Sequence, residues 1–529
     1  MLFRSAELAG LLTRFGQNVL GDESSVFIEL RDEADFAGLP GALRESARQA
    51  ARERGLGEDR AIITTSRSSV VPFLTFSERR DLREAAWRAW VGRGERGGET
   101  DNRAIARRIL QIRHAQAALH GHASFADFAL AESMAGSQAA VRGLLDEVWG
   151  RALPAAARER ALIEHPMRAH REPAPLAAWD WRFWSEKVRA ERYAVDEAAV
   201  KPYLVLERLV DAMFEVAQRL FGVRFERRAD ITGYHPDVVA WEMFDATGAR
   251  RGLFLQDNFA RPGKRSGAWM NELQFASRNR AGSVAVIQNN CNFSRGGAGE
   301  PTLLSLDDAR TLFHEFGHGL HGLLSDVDYH RLSGTQVLRD FVELPSQLYE
   351  HWLMEPSLLQ RHARHWQTGE PMPLDLVEKL KAAENWGQGY ETVRYTASAL
   401  VDLEAHALTD PDGPADLTAF EAATLERLGA PAEIGLNHRL CHFQHLFAGH
   451  GYAAGYYVYL WAEVLDADAF EAFREAGDAF DPDLAQRLLR HIYAAGDSVA
   501  PQQAYTGFRG RAAGIGPLLA QRGLLEPSA

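Results

Sequence analysis

The sequence predicts a mainly α-helical protein that contains one small β-sheet. Apolar residues recur at helical spacing along most of the chain, and the clearest amphipathic segment, residues 204–221, ends at Gly222. The main exception is the region of residues 238–288, which changes to the shorter period that is typical of strands. This region directly precedes a segment in which two histidines stand at helical spacing, so we expect the sheet to lie beside that helix.

Length, composition and charge exclude several classes of protein. The 529 residues are enough for a large core, and the share of hydrophobic (46%) and charged (25%) residues is ordinary for a soluble globular protein. The net charge of −13 argues against nucleic acid and against an anionic membrane surface, because no basic segment offsets it. No run of about twenty apolar residues is present that would cross a bilayer.

The cysteines and the N-terminus indicate the compartment. Cys291 and Cys441 are the only cysteines, and neither stands in a recognised nucleophile motif, so we expect buried thiols in a reducing compartment. Arg4, Glu7 and Arg14 interrupt the apolar start and leave no signal-peptide core. We therefore expect a cytoplasmic protein, and a monomer.

The N-terminal part of the chain has mostly helical periodicity. The predicted helices are 41–54, 77–91, 102–120, 124–134 and 137–163. Most side chains of residues 61–65 are β-branched, which predicts a short strand. Three prolines between residues 165 and 175 predict a linker.

The strand-like region has its own internal pattern. Residues 238–244 and 252–255 are joined by Asp-Ala-Thr-Gly and predict a hairpin, and residues 283–288 predict another strand. An exposed strand edge near a metal can hold an extended peptide by adding it as one more strand. A sheet that only supports the following helix is the alternative, and the sequence leaves both open.

The segment that follows carries the motif H-E-x-x-H in His314, Glu315 and His318. On a helix, two histidines four residues apart project from one face, about 6 Å from each other, and can share one tetrahedral metal ion. Glu315 lies about 100° further round, where it can hold a water beside the metal. Ser305 and Asp308 predict a capping box at the start of this helix. The alternative is an amphipathic helix whose polar edge happens to carry histidines.

A third ligand is needed, and the next segment offers several. Leu324 stands six residues after the second histidine, which excludes the class of zinc peptidases that has a third histidine there. A polar stripe in apolar surroundings follows, made of Asp340, Glu343, Gln347 and Glu350. Buried carboxylates need a partner, and a divalent cation supplies one. One carboxylate with two histidines leaves a fourth coordination position for water, as in catalytic zinc sites.

The two segments resemble the zinc metallopeptidase family of thimet oligopeptidase, neurolysin and bacterial peptidyl-dipeptidase. The matching motifs are H-E-F-G-H-G-L-H and D-F-V-E-L-P-S-Q-L-Y-E-H-W, and they favour the peptidyl-dipeptidase branch. The resemblance implies that Glu343, rather than Asp340 or Glu350, is the third ligand of one zinc ion. Asp340 is then a candidate to orient a zinc-bound imidazole, or a helix-initiating residue.

A tyrosine-rich stretch follows His445. Tyr452, Tyr456 and Tyr459 stand at spacings of four and three, which predicts one face of a helix. Such a stripe is often core, but the small residues between them let a ligand approach, and a phenol can donate to an oxyanion. The stretch resembles the family's tyrosine motif, which implies substrate-binding roles for Tyr452, Tyr459 and His445. His450 lies in the same interval and is the alternative to His445.

The resemblance extends from about residue 11 to the C-terminus and implies two helical lobes on either side of a deep substrate channel. We assign residues 1–203 to the N-terminal helical lobe, which is short for the family, and residues 204–529 to the zinc-binding catalytic lobe. A single intertwined unit is the alternative. A channel of this kind admits short unstructured peptides and excludes folded proteins.

The predicted function is zinc-dependent hydrolysis of peptide bonds. Zinc polarises the scissile carbonyl and lowers the pKa of a water, and Glu315 accepts the water's proton and passes it to the leaving amine. Release of C-terminal dipeptides is the favoured specificity, and an oligopeptidase that cuts internally is the alternative. From another class, a non-catalytic peptide-binding relative of the family is the rival.

Overall fold

The computed structural model describes residues 2–57, 59–170, 172, 174–193, 197–261, 264, 267–279, 283–296 and 299–525. The helices, in chain order, are α1 (Leu2–Ser25), α2 (Gly41–Glu53), α3 (Arg67–Phe76), α4 (Arg80–Val91), α5 (Arg103–Leu119), α6 (Phe125–Leu130), α7 (Gln138–Ala169), α8 (Trp181–Tyr193), α9 (Glu197–Val200), α10 (Leu206–Phe221), α11 (Leu306–Leu323), α12 (Arg339–Val342), α13 (Leu344–Glu350), α14 (Pro356–His362), α15 (Leu374–Ala383), α16 (Gln388–His406), α17 (Leu417–Leu428), α18 (Gln444–Phe447), α19 (Val458–Ala476), α20 (Pro482–Leu488), α21 (Pro501–Arg509) and α22 (Gly516–Gln521). The strands are β1 (Phe27–Leu30), β2 (Ala61–Thr64), β3 (Arg224–Arg227), β4 (Val239–Phe244), β5 (Arg250–Phe259), β6 (Trp269–Gln274) and β7 (Ala285–Phe293). Helices dominate, which confirms the predicted mainly α class.

The chain divides into two compact units, each with its own internal contacts. The first unit consists of Met1–Ala194, Asn385–Tyr457 and Gly523–Ala529, and the second of Val195–Glu384 and Val458–Arg522. The predicted division after residue 203 concerns the lobes of the family and stays a prediction. The first compact unit differs from the predicted N-terminal lobe, because the unit also includes residues 385–457.

The first unit contains a small antiparallel sheet of β1 and β2, in which Phe27 pairs with Thr64 and Leu30 with Ala61. The predicted strand at residues 61–65 is β2. Buried apolar side chains from the sheet and from the helices α2 to α4 pack together around it; they include Leu30, Leu43, Ile63, Val70, Phe73 and Trp90. Since a two-stranded sheet is marginal alone, this helical cover is what stabilises it.

Close packing of α7 and α16 forms another part of the first unit. Gly389 of α16 lies against the backbone of Ala155 and Ala156, and a Cβ at this glycine would meet the Ala156 nitrogen at 2.4 Å. The buried Glu159 carboxylate of α7 accepts hydrogen bonds from the backbone N–H groups of Gly389 (2.8 Å) and Tyr390 (2.9 Å). Glu159 therefore caps the start of α16 from a neighbouring helix.

The predicted linker at residues 165–175 is wrong in its first part. The helix α7 continues to Ala169 and contains Pro154 and Pro166. Each proline removes one helical hydrogen bond, but Ile163 and Met167 are buried beside the second proline, and their packing outweighs that loss. Residues 171 and 173 lie outside the described part of the chain.

The second unit is built on a five-stranded sheet with the strand order β3-β4-β5-β7-β6. The neighbours β5 and β7 are parallel, and the other pairs are antiparallel. The predicted hairpin is confirmed as β4 and β5, in which Ala240 faces Leu255. The strands β3 and β6 were not predicted, because β3 is short and mostly charged and β6 is an edge strand whose side chains are largely exposed.

The helix α11 begins at the predicted capping box. Ser305 Oγ accepts the backbone N–H of Asp308 at 3.0 Å, and the Asp308 carboxylate accepts the N–H of Ser305 at 3.1 Å. Two otherwise unpaired backbone donors are thereby satisfied, and negative charge lies at the positive end of the helix dipole.

An aromatic cluster fixes the position of α11 on the sheet. The ring of Phe316 lies 5.3 Å from Phe254 of β5, 5.4 Å from Phe225 of β3 and 5.5 Å from Phe214 of α10, all between ring centroids. Because Phe316 projects from α11 into this cluster, the rotation of the helix about its axis is set, and with it the directions of His314, Glu315 and His318.

A glycine brings α11 and α13 unusually close together. A Cβ at Gly317 would lie 2.6 Å from the Cα of Ser346 and 2.7 Å from the carbonyl oxygen of Pro345. Only glycine permits this approach without movement of the α13 backbone. Because Glu343 lies immediately before α13, the same approach carries Glu343 towards the histidines of α11.

This packing yields a stability prediction for two glycines of one helix. We expect Gly317→Ala to lower the free energy of unfolding by about 1–3 kcal/mol, because the new methyl group overpacks against backbone. At Gly319 the nearest atom to an added Cβ is Asn289 Oδ1 at 3.4 Å, an ordinary contact. Gly319→Ala should therefore be neutral or stabilising by up to about 1 kcal/mol of helix propensity. Thermal and urea unfolding of both variants measure the difference, and equal stabilities would contradict the packing argument.

Candidate metal centre

Three side chains from two elements converge in the second unit. His314 and His318 project from one face of α11, with ring centroids 4.9 Å apart, and Glu343 stands at the junction of α12 and α13. Glu343 Oε2 lies 3.2 Å from His318 Nε2 and 3.4 Å from His314 Nε2. One ligand atom from each residue lies within 4.8 Å of the other two. The structure thus brings together the three predicted ligands.

The chemistry of this donor set fits a divalent cation. Two imidazoles and one carboxylate, all facing one point, are the protein ligands of a catalytic zinc site. Glu315 is buried and Glu350 is half-buried in the same region, so three carboxylates gather around two imidazoles. Such a concentration of negative charge away from water is costly unless a cation balances it.

Glu350 has a role that the sequence analysis missed. Its Oε1 lies 2.7 Å from His314 Nδ1, so the imidazole donates its Nδ1 proton to the carboxylate and keeps Nε2 available as a ligand atom. The sequence contained a signal for this, because Glu350 lies two helical turns after Glu343 on the same polar stripe. Asp340, for which an orienting role was predicted, is fully buried in α12, and that role stays a prediction.

Comparisons with known proteins agree with this geometry. A sequence profile described as peptidase family M3 matches residues 73–524. The chain belongs to peptidase family M3. A dipeptidyl carboxypeptidase from Salmonella typhimurium is 38% identical over 98% of this chain and 76% of its own length. Oligopeptidase A from Escherichia coli is 35% identical over 98% of this chain and 77% of its own length.

The comparisons confirm the predicted family, and the protein is a metallopeptidase. Among solved structures, the M32 carboxypeptidase from Deinococcus radiodurans R1 aligns with a TM-score of 0.49 and 16% identity, covering 98% of this chain and 99% of that one. Within the described part of the chain, no helix of this M3 peptidase has the length and apolarity that a membrane crossing requires.

Charge interactions shift the pKa values of two predicted ligands in opposite directions. Burial would lower the pKa of His314, but hydrogen bonds from its ring to Glu343 and Glu350 hold it well above the ordinary histidine value. Burial would raise the pKa of Glu343, but the two imidazoles hold it well below the ordinary carboxyl value. Protons compete with a cation for the imidazole nitrogens, so we expect metal binding to this M3 peptidase to weaken as the pH falls.

Glu315 has the surroundings of a proton acceptor. The residue is 5% exposed, and its Oε2 is buried without a hydrogen-bond partner among the described residues. Burial raises the pKa of Glu315, while His314 and His318 oppose the rise. A carboxylate with a raised pKa accepts a proton near neutral pH more readily than an ordinary one.

The predicted helical tyrosine stripe is wrong. The helix α19 begins only at Val458, and residues 451–454, 456 and 457 form turns. The backbone there folds around a buried carboxylate, because Asp402 accepts hydrogen bonds from the N–H groups of Ala454 and Tyr456, each at 2.9 Å. Spacing along the sequence gave no indication of this, since the acceptor stands far upstream in α16.

The predicted substrate-binding residues divide between the two units of this M3 peptidase. Tyr459 is the second residue of α19 in the second unit, whereas His445 and Tyr452 lie together in the first, with ring centroids 5.6 Å apart. The ring of His445 also lies 5.3 Å from that of Tyr456, between centroids, and burial lowers the pKa of His445. His450 is exposed, and the preference for His445 over His450 stays a prediction.

The contact between His314 and Glu350 yields a prediction for metal affinity. We expect Glu350→Gln to weaken zinc binding about 10- to 100-fold, because the amide no longer orients and polarises the imidazole as the carboxylate does. Competition with a fluorescent chelator measures the affinity. Glu384→Gln is the matched control, because Glu384 pairs at 3.2 Å on the surface with Arg310, which belongs to α11 like His314. Equal zinc affinities for the two variants would show that Glu350 has no such role.

Proposed function

We propose that this M3 metallopeptidase uses one zinc ion, held by His314, His318 and Glu343, to hydrolyse short unstructured peptides. The observation that carries the proposal is the convergence of these three ligand atoms within 4.8 Å, next to a buried glutamate. Zinc, when bound, supplies a Lewis acid that polarises a scissile carbonyl and acidifies water. The fit of the donor set supports zinc over harder cations, which prefer oxygen ligands.

Glu315 is the general base in this proposal. It accepts a proton from the attacking water and passes that proton to the amine that leaves. Its raised pKa and its buried Oε2, which has no hydrogen-bond partner among the described residues, support the role. Glu350 holds His314 in the tautomer that presents Nε2.

Tyr452, Tyr459 and His445 are proposed to bind substrate and to donate hydrogen bonds to the oxyanion that develops during attack. The neighbouring rings of His445 and Tyr452 support a shared role for these two. A phenol remains protonated at neutral pH and is therefore a suitable donor. Loss of one oxyanion donor typically lowers turnover by about 10²–10³.

The role of Glu315 is tested by replacing the carboxylate with an amide. We expect Glu315→Gln to lower kcat by about 10²–10⁴, because general base catalysis is lost, while the zinc content is unchanged. Hydrolysis of a fluorogenic peptide and metal analysis of the purified variant measure the two quantities. Asp307→Asn, at an exposed position of the same helix, is the control. Full activity of the Glu315 variant would refute the proposed mechanism.

Release of C-terminal dipeptides is the proposed specificity. The 38% identity with a dipeptidyl carboxypeptidase over nearly the whole chain supports it. Internal cutting is the second candidate, because the identity with oligopeptidase A is 35% over the same share of the chain. A non-catalytic peptide-binding relative is disfavoured, since the ligand residues and Glu315 are intact and clustered. The monomeric state and the cytoplasmic location stay predictions.

Mass spectrometry of digests separates the two specificities. We expect a ten-residue peptide to be shortened from its C-terminus by two residues at a time, and the C-terminal amide of the same peptide to resist, because a dipeptidase must recognise the free carboxylate. A digest with a chelator is the control and should yield no products. Identical internal cuts in the free acid and the amide would instead establish the oligopeptidase specificity.

A further inference from the structure

A fully buried arginine holds the first end of the tyrosine-bearing turn in the first unit. One nitrogen of the Arg113 guanidinium donates to the carbonyl oxygens of Leu446 (2.5 Å) and Gly449 (3.1 Å). Another lies 3.0 Å from His406 Nε2. Arg113 comes from α5 and His406 from α16, so the side chain joins two helices to the segment that follows His445.

The contact with Arg113 determines the protonation of His406. A guanidinium can only donate, so Nε2 of the imidazole must accept and the ring must be neutral. Its proton is then on Nδ1, which lies 2.8 Å from the Asp402 carboxylate and 3.0 Å from the Asp402 carbonyl oxygen. A neutral imidazole thereby connects the cation of Arg113 to the anion of Asp402.

Asp402 holds the second end of the same turn. Its Oδ1 accepts the N–H of Ala454 and its Oδ2 accepts the N–H of Tyr456. Ala454 has a φ of 56°, a left-handed conformation that is unfavourable for a residue other than glycine. Strain of this kind persists where the surroundings hold the backbone. The two charge-assisted hydrogen bonds to Asp402, from the N–H groups of Ala454 itself and of Tyr456, hold it here.

We propose that Arg113, His406 and Asp402 form a positioning network that holds the turn of residues 449–456, and with it Tyr452 beside His445, in the conformation that the reaction requires. This inference rests on the substrate-binding role proposed for Tyr452. The three residues are positioning residues, since they act through the turn and are each 2% exposed or less.

The energetics favour positioning over stability as the reason for this network. Taking an arginine and an aspartate out of water costs free energy that apolar side chains of similar volume would not cost. Burial lowers the pKa of Arg113 to about 9 and Asp402 opposes this, so the guanidinium is charged at pH 7. A hydrogen-bonded buried network specifies one arrangement of the groups that it contacts. Here these are the carbonyl groups of Leu446 and Gly449 and the N–H groups of Ala454 and Tyr456.

Removing the charge of Asp402 tests the network. In Asp402→Asn, one oxygen becomes an NH₂ group that faces a backbone N–H, so the second end of the turn loses one of its two acceptors. We expect kcat to fall about 10- to 100-fold with little change in KM, because the turn contributes contacts that strengthen in the transition state. Glu404→Gln, on the surface side of α16 where it pairs with Arg142 and Arg427, is the matched control and should leave kcat unchanged.

Two substitutions of His406 separate the two ends of the turn. The amide of His406→Asn takes the place of Nδ1 and can donate to Asp402, but it offers no acceptor to Arg113. The amide of His406→Gln reaches the place of Nε2 and accepts from Arg113, but it no longer donates to Asp402. We expect faster amide hydrogen exchange in residues 446–449 in the first variant and in residues 454–456 in the second. If circular dichroism and zinc content show that Asp402→Asn does not fold, the two His406 variants test the proposal in its place.

A double-mutant comparison with Tyr452→Phe decides whether the network acts through this tyrosine. If it does, Asp402→Asn should lower kcat little further in an enzyme that already carries Tyr452→Phe. If Asp402→Asn leaves hydrogen exchange and kcat unchanged while Tyr452→Phe lowers kcat, the positioning proposal is wrong, but the proposed role of Tyr452 stands. The positioning proposal would also be wrong if the fold-losses of kcat caused by the two single substitutions multiply in the double variant. Full activity of Tyr452→Phe would overturn the proposed role of Tyr452, and the positioning proposal with it.

Discussion

The second unit depends on one close approach, that of α13 to α11 at Gly317. This contact places the Glu343 carboxylate between the Nε2 atoms of His314 and His318, within hydrogen-bond distance of one and near the other. The capping box at Ser305 and the aromatic cluster around Phe316 fix where α11 starts and how it is rotated. A metal site requires ligand atoms placed to within a few tenths of an ångström. These contacts outside the site are therefore needed for its geometry.

Buried and half-buried carboxylates position backbone and side chains in both units of this M3 peptidase. Glu159 caps α16, Asp402 holds the turn that carries Tyr452, and Glu350 orients the ring of His314. In each case a charge that is costly to bury is matched to donors in a fixed arrangement, so it specifies one geometry. Apolar packing alone tolerates small shifts of backbone and side chains, which a catalytic site does not.

Much of the fold was predictable because its signal is local. The amphipathic helix α10, the capping box of α11 and the hairpin of β4 and β5 each follow from spacing or turn chemistry within a few residues. The failures have tertiary causes. Edge strand β6 lacks an apolar alternation because its side chains are largely exposed, and α7 passes through Pro166 because packing of its neighbours outweighs one lost hydrogen bond.

By itself, the sequence determined the family and predicted the ligand residues of the proposed metal site. Residues one helical turn apart share a face wherever the helix lies, and the two family motifs are specific. Only the tertiary structure decided that Glu350 orients His314, that Tyr452 lies on a turn and not on a helix, and that Arg113, His406 and Asp402 meet. Glu350 and His314 are 36 residues apart, and Arg113 stands far upstream of the α16 residues Asp402 and His406. No local periodicity encodes such contacts, since they arise only when packed elements bring the side chains together.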